Sequence, residues 1–92
     1  MRNIRSDKAI QKGLEFVEKA LQENPGRSES IAIKGSLFLM MAKNEDDQTK
    51  QVELSEQASA LLKEAFKINS FLKRDYESFL DEATQFSESK RN

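Results

Sequence analysis

Any chemistry in this chain must come from carboxylates, amines or hydroxyls, because the 92-residue sequence has no histidine and no cysteine. That removes Ser-His-Asp and Cys-His nucleophilic sites and most transition-metal sites. The 16 acidic residues could still supply an acid–base pair, but such a pair needs a shaped, desolvated cleft, and nearly all of these residues fall at positions the periodicity exposes. The run Glu45-Asp46-Asp47 invites a divalent cation, yet it lacks the spaced ligands and the glycine of an EF-hand loop, and it reads as a solvated loop that caps a helix. Gly26 and Gly35 make no phosphate cradle, since no strand precedes them and no GK[ST] follows. Lys73-Arg74 beside Tyr76 is too small a basic group for a nucleic-acid footprint in a chain of net charge −1. The residues therefore imply no catalytic centre, no cofactor, no metal and no nucleic acid.

Leu39, Met40 and Met41 are more informative. Methionine suits adaptable apolar recognition, and these residues end the most apolar run of the chain, IAIKGSLFLMM over 31–41. Either they line a groove for a partner or they pack against the first helix, and an apolar patch needs a function only if it is exposed.

The elements that position them are all helical. Ile10, Leu14, Val17 and Leu21 recur at helical spacing, widened by Ala9, Gly13, Phe16 and Ala20. Ser6 and Asp7 offer N-cap chemistry ahead of them, and Asn24-Pro25-Gly26 closes the segment. Ser28 offers a cap for a second helix, whose positive end Glu29 complements. This helix carries two apolar stripes, Ile31–Gly35–Phe38–Ala42 and Ile33–Leu37–Met40 or Met41, so it lies between neighbours. Gly35 inside it implies the close approach of another helix. After a polar break, Leu54, Ala58, Leu61, Leu62, Ala65 and Ile68 mark a third helix, ended by Asn69-Ser70. Leu72, Tyr76, Phe79, Leu80 and Ala83 mark a fourth, and Phe86 extends it; these aromatics read as core, and 87–92 as frayed. The expectation is an all-α fold of four antiparallel helices over about 6–23, 28–43, 48–68 and 72–86, forming one domain with an ordered core of about 6–86.

The bulk numbers agree with a soluble helical module: 34% charged residues, 37% hydrophobic and a near-neutral balance. The longest apolar run is about half of the ~20 residues that a membrane span needs. The start, MRNIRSDK, has no apolar leader, and the lack of cysteine fits a reducing compartment, so a cytoplasmic location is expected.

An internal repeat is visible. AlaLeuGlnGluAsnPro at 20–25 aligns with AlaPheLysIleAsnSer at 65–70, an offset of 45 residues that also sets Gly13 against Ala58, Val17 against Leu62 and Ile31 against Tyr76. On these residues the chain resembles the tetratricopeptide repeat, a helix–turn–helix unit of about 34 residues. Gly35 matches the family's small residue of close helix contact, Phe38 its following aromatic, and Ala58, Leu62 and Ala65 the small–large–small signature of its second helix. Lys34 departs from a usual leucine, Leu80 stands where a small residue belongs, and the extra length falls at 43–54. The resemblance, which covers about 8–86, implies a right-handed helical array of one full repeat, a preceding half-repeat and a capping helix. It also resembles, more distantly, the C-terminal end of large bacterial signalling chains.

The resemblance implies a groove lined by the first helix of each unit. Here that means Ala32, Ile33, Ser36, Leu39 and Met40, with Glu77 and Asp81 from the fourth helix. The expected function is a non-catalytic module binding a peptide or helix of a partner protein. On that reading Leu39→Asp abolishes capture while helicity survives. The clamp that some family members close on a C-terminal carboxylate is not expected, because Ala32 and Ser36 stand where it needs lysine and asparagine. The alternative is structural: the apolar patch joins a second copy of the chain, giving a homo-oligomer, or docks a neighbouring repeat. No membrane partner is expected.

Overall fold

The computed structural model describes residues 4–90, with side chains over 7–90. It is all-helical over that range. Helix α1 spans Ile4–Glu23, α2 Ser28–Asn44, α3 Gln48–Ile68, then a 3₁₀ turn at Ser70–Leu72 leads into α4, Lys73–Lys90. Residues 1–3 and 91–92 lie outside the described range, and the last two positions of the expected fray at 87–92 fall there.

Local chemistry explains most of the boundaries. The turn after α1 closes with Arg27 N–H donating to the Asn24 carbonyl across Pro25-Gly26. At α3 the N-cap is Asp47, whose carboxylate accepts from Thr49 N–H at 3.0 Å, while Glu45 accepts from Asp47 N–H. At its other end Asn69 caps the helix, its N–H donating to the Ala65 carbonyl and its side chain accepting from Phe71 N–H. That one residue closes α3 with its backbone and caps the 3₁₀ turn with its side chain.

Three terminal expectations are corrected. Ser6 and Asp7 are not the cap of α1, because the helix already runs from Ile4. Ser28 does not cap α2: Arg27 holds the N-cap position without a side-chain hydrogen bond, and Ser28 is the first helical residue. Finally, α4 does not fray at residue 87; it continues to Lys90, with Ser87 buried and its hydroxyl donating to the Thr84 carbonyl.

The helices pack in order around α2 and α3. The main contact is α2 on α3, followed by α3 on α4 and α1 on α2, while α2 and α4 touch lightly. The shortest dimension of the molecule is 18 Å, which is two helices deep for helices about 10 Å across. One core cluster joins Ile31, Ala32, Leu62, Ala65, Phe66 and Leu72; another joins Leu39, Ala58 and Ala83. Gly35 sits where α2 meets α3. A Cβ there would lie 2.9 Å from Leu62 Cγ and 3.2 Å from the Ala58 carbonyl oxygen. Its φ is not positive, so the glycine is needed for closeness and not for an unusual backbone.

Phe16 corrects the expected stripe of α1, for it is 76% exposed while Ile10 and Val17 are buried. The buried side of α1 is the one facing α2, and no other helix covers the Ala9–Phe16 side. Among the described residues no helix is long and apolar enough to cross a membrane.

Candidate partner-binding groove

Where α2 and α4 approach lightly, their facing edges leave a groove. Its volume is about 500 Å³, and it is lined by Glu29, Ile33, Ser36 and Leu37 from α2 and by Asp75, Tyr76 and Phe79 from α4. It is a shallow depression, largely open to solvent. On α2 the spacing 29, 33, 36, 37 keeps one edge in line. Farther along, Lys43 of α2 pairs with Glu82 of α4, so the two helices run in the same general sense.

The floor is apolar and partly wet. Ile33 is 36% exposed and Phe79 37%, and the Tyr76 and Phe79 rings sit with centroids 5.9 Å apart, tilted by 41°. Ser36 donates its hydroxyl to the Ala32 carbonyl at 3.1 Å, so it contributes a small side chain and an acceptor lone pair rather than a free donor.

One end of the groove is acidic. Glu29 and Asp75 stand in the first turns of their helices, where a carboxylate complements the positive helix end. Both act on Tyr76. Burial, first, and then the charges of Glu29 and Asp75 raise its phenol above the ordinary 10.0.

Of the seven residues expected to form the site, the groove gathers Ile33 and Ser36. Ala32 and Leu39 are corrected: they are 0% and 2% exposed and belong to the core clusters. The reason is rotational. Steps of two residues turn a helix by about 200°, so Ile33 and Leu37 share one side of α2 while Gly35 and Leu39 share the opposite side, which α3 covers. Met40 is 49% exposed but lines a separate depression with Ile10, Lys43 and Asn44. Glu77 and Asp81 are exposed yet do not line the groove, because each is two residues from Phe79 and lies on the far side of α4.

Five lining residues were not among the expected set. Leu37 was placed in the right stripe without a role. Tyr76 and Phe79 were read as core, since an aromatic at helical spacing is usually core. Their signal is the i, i+3 aromatic pair directly after Asp75, on a helix otherwise rich in polar residues. Glu29 and Asp75 look, in sequence, like first-turn acids alone.

Other chemistry is weakly furnished. Of the acids at 45–47, Asp47 caps α3 and Glu45 accepts from the Asp47 N–H. Among the described residues no group of three or more acids is placed to hold a metal ion. No known protein family matches the chain, and no curated protein or solved structure matches it.

Proposed function

We propose that this chain is a non-catalytic interaction module, built as a tetratricopeptide-like array, that binds a peptide or helix of a partner protein in the α2–α4 groove. The observation that carries the reading is the groove itself: an apolar, aromatic floor with Ile33 and Phe79 more than a third exposed. Burying such side chains under a partner favours binding by roughly 25 cal/mol for each Å² of apolar surface removed from water. The geometry also agrees with the notion of repeated helix pairs, since Val17 and Leu62, aligned by the 45-residue offset, are both buried between helices.

Affinity capture from the native lysate, repeated with Ile33→Asp and Phe79→Asp, tests the reading. A specific protein retained by the parent chain and by Asp81→Ala, but lost with both groove variants at unchanged helicity, is the expected result. Retention by all variants would sink it.

The α1 surface favours a second reading. The offset places Ala9, Gly13, Phe16 and Ala20 against Leu54, Ala58, Leu61 and Ala65. On α3 that face is covered by α2, with Gly35 against Leu61, Leu62 and the Ala58 carbonyl. On α1, Gly13 meets Leu37 of α2 but the Ala9–Phe16 part is open, with Phe16 76% exposed. A self-association or repeat-docking role would use this face, and a dimer in sedimentation that Phe16→Glu dissolves would support it over the groove.

A further inference from the structure

The geometry points to the partner's chemistry: a short amphipathic helix whose apolar residues lie on Ile33, Leu37 and Phe79, with a lysine or arginine seated at the groove end formed by Glu29, Asp75 and Tyr76. This deepens the groove reading and rests on it. The only charged residues lining the groove are these two acids, and they come from different helices. Neither has an ion-pair partner among the described residues. Farther along α2, Lys34 pairs with Glu18 at 2.8 Å and Lys43 pairs with Glu82. Arg27, Lys73 and Arg74 stand within two residues of the acids but do not line the groove, so the charge that faces into this end is negative.

Helix-dipole compensation alone explains a carboxylate in a first turn, but not two of them, from different helices, lining the same aromatic groove. Asp7, the comparable first-turn acid of α1, is instead held by Asn44, whose amide donates to it. Burial is the main reason the Tyr76 phenol is pushed up, and the charges of Glu29 and Asp75 add to it. A cationic side chain entering here would meet two carboxylates and an aromatic ring, a combination that suits guanidinium or ammonium. Glu29 to Leu37 covers nine residues, or eight steps, so this edge is about 12 Å long at ~1.5 Å per step. That length accepts two turns of a partner helix, enough for apolar anchors at i and i+3 or i+4 and a basic residue one turn away.

The test uses three synthetic peptides with one leucine stripe and with arginine, glutamine or glutamate at one end. Each is titrated into the full ¹⁵N-labelled chain, with the amides of Ile33, Leu37 and Phe79 followed by NMR. The arginine peptide should shift these amides and bind about tenfold tighter than the glutamate peptide, with the preference shrinking as salt rises. Glu29→Gln combined with Asp75→Asn should erase most of that preference, and Glu29→Lys should reverse it. Equal affinity of all three peptides at the groove amides overturns the charge assignment and leaves the groove reading standing. No shift with any peptide overturns both. Concentration-dependent dimerisation through the same amides overturns the heterologous partner in favour of a second copy.

Discussion

Replacing Gly35 by alanine probes the close contact between α2 and α3. The added methyl would lie 2.9 Å from Leu62 Cγ, 3.2 Å from the Ala58 carbonyl oxygen and 3.3 Å from Leu61 Cβ. Leu62 is fully buried, and the Ala58 oxygen belongs to the α3 backbone, so neither yields without moving the helix. Overpacking of this kind costs about 1–3 kcal/mol. Alanine's helix propensity opposes it by about 0.8–1.0 kcal/mol. The contact with backbone and with a buried branch carbon puts the steric cost at the upper end, so the net loss is about 1–2 kcal/mol, or roughly 4–8 °C in Tm for each kcal/mol. Urea unfolding followed by circular dichroism measures it. Gly26→Ala serves as the reference, because no atom lies within 4 Å of its Cβ position and its φ is not positive. That variant should gain about 0.4–1 kcal/mol through the unfolded state. A coupling measurement sharpens the point. Leu62→Ala alone should cost about 2–5 kcal/mol, and at least ~0.5 kcal/mol less when Gly35→Ala is already present, since each change relieves the other. If Gly35→Ala matches or exceeds the parent in stability while Gly26→Ala gains as expected, α2 and α3 are not pressed together at this residue and the reasoning fails.

Two further outcomes follow from the caps and from the groove. Asp47→Ala should lose about 0.5–2 kcal/mol because its carboxylate caps Thr49 N–H, whereas Ser28→Ala should change little, since Ser28 is inside α2 and caps nothing; urea midpoints compare the two, and equal losses would contradict the cap assignment. Tyr76 is the only tyrosine, so tyrosinate absorbance reads it directly, and its midpoint should lie above 10.0. Below pH 10.0 the phenol is protonated in both folded and unfolded chains. As pH rises further the unfolded chain releases its proton first, so stability falls through the interval up to the raised folded value. Glu29→Gln should lower the midpoint without restoring 10.0, because burial is the larger cause; a folded-state midpoint at or below 10.0 would refute the environment described for this ring.

Helix existence was legible because punctuation is local. Asn24-Pro25-Gly26, Asp47 and Asn69 each act within a few residues of themselves, so composition and spacing suffice to read them. Gly35 was legible for a related reason: a glycine in a helix with negative φ has few explanations besides close packing. The orientation of α2 was not. Its apolar residues surround it almost completely, so nothing in its own sequence decides which side meets α3 and which stays open. The choice is made by where α1 and α4 dock, which is non-local. Phe16 failed in the same way. A stripe of apolar residues implies burial only when a neighbour is present, and α1 has one neighbour where α3 has two.

The rotation of α2 ties these observations together. Gly35 meets Leu62 and Ala58, and Leu39 clusters with Ala58 and Ala83, so this side of α2 is committed to α3 and α4. The opposite side carries Ile33 and Leu37, and its neighbour is α1, because a Cβ on Gly13 would lie 3.1 Å from Leu37 Cδ2. Leu37 therefore both supports α1 and lines the groove. The groove surface of α2 is confined to this second side, between α1 and α4, and cannot extend to Leu39 without dismantling the α2–α3 contact. The same division explains why an apolar helix this short can serve core and groove at once: residues two apart face opposite ways, and the odd positions from 33 to 39 alternate between the groove side and the α3 side.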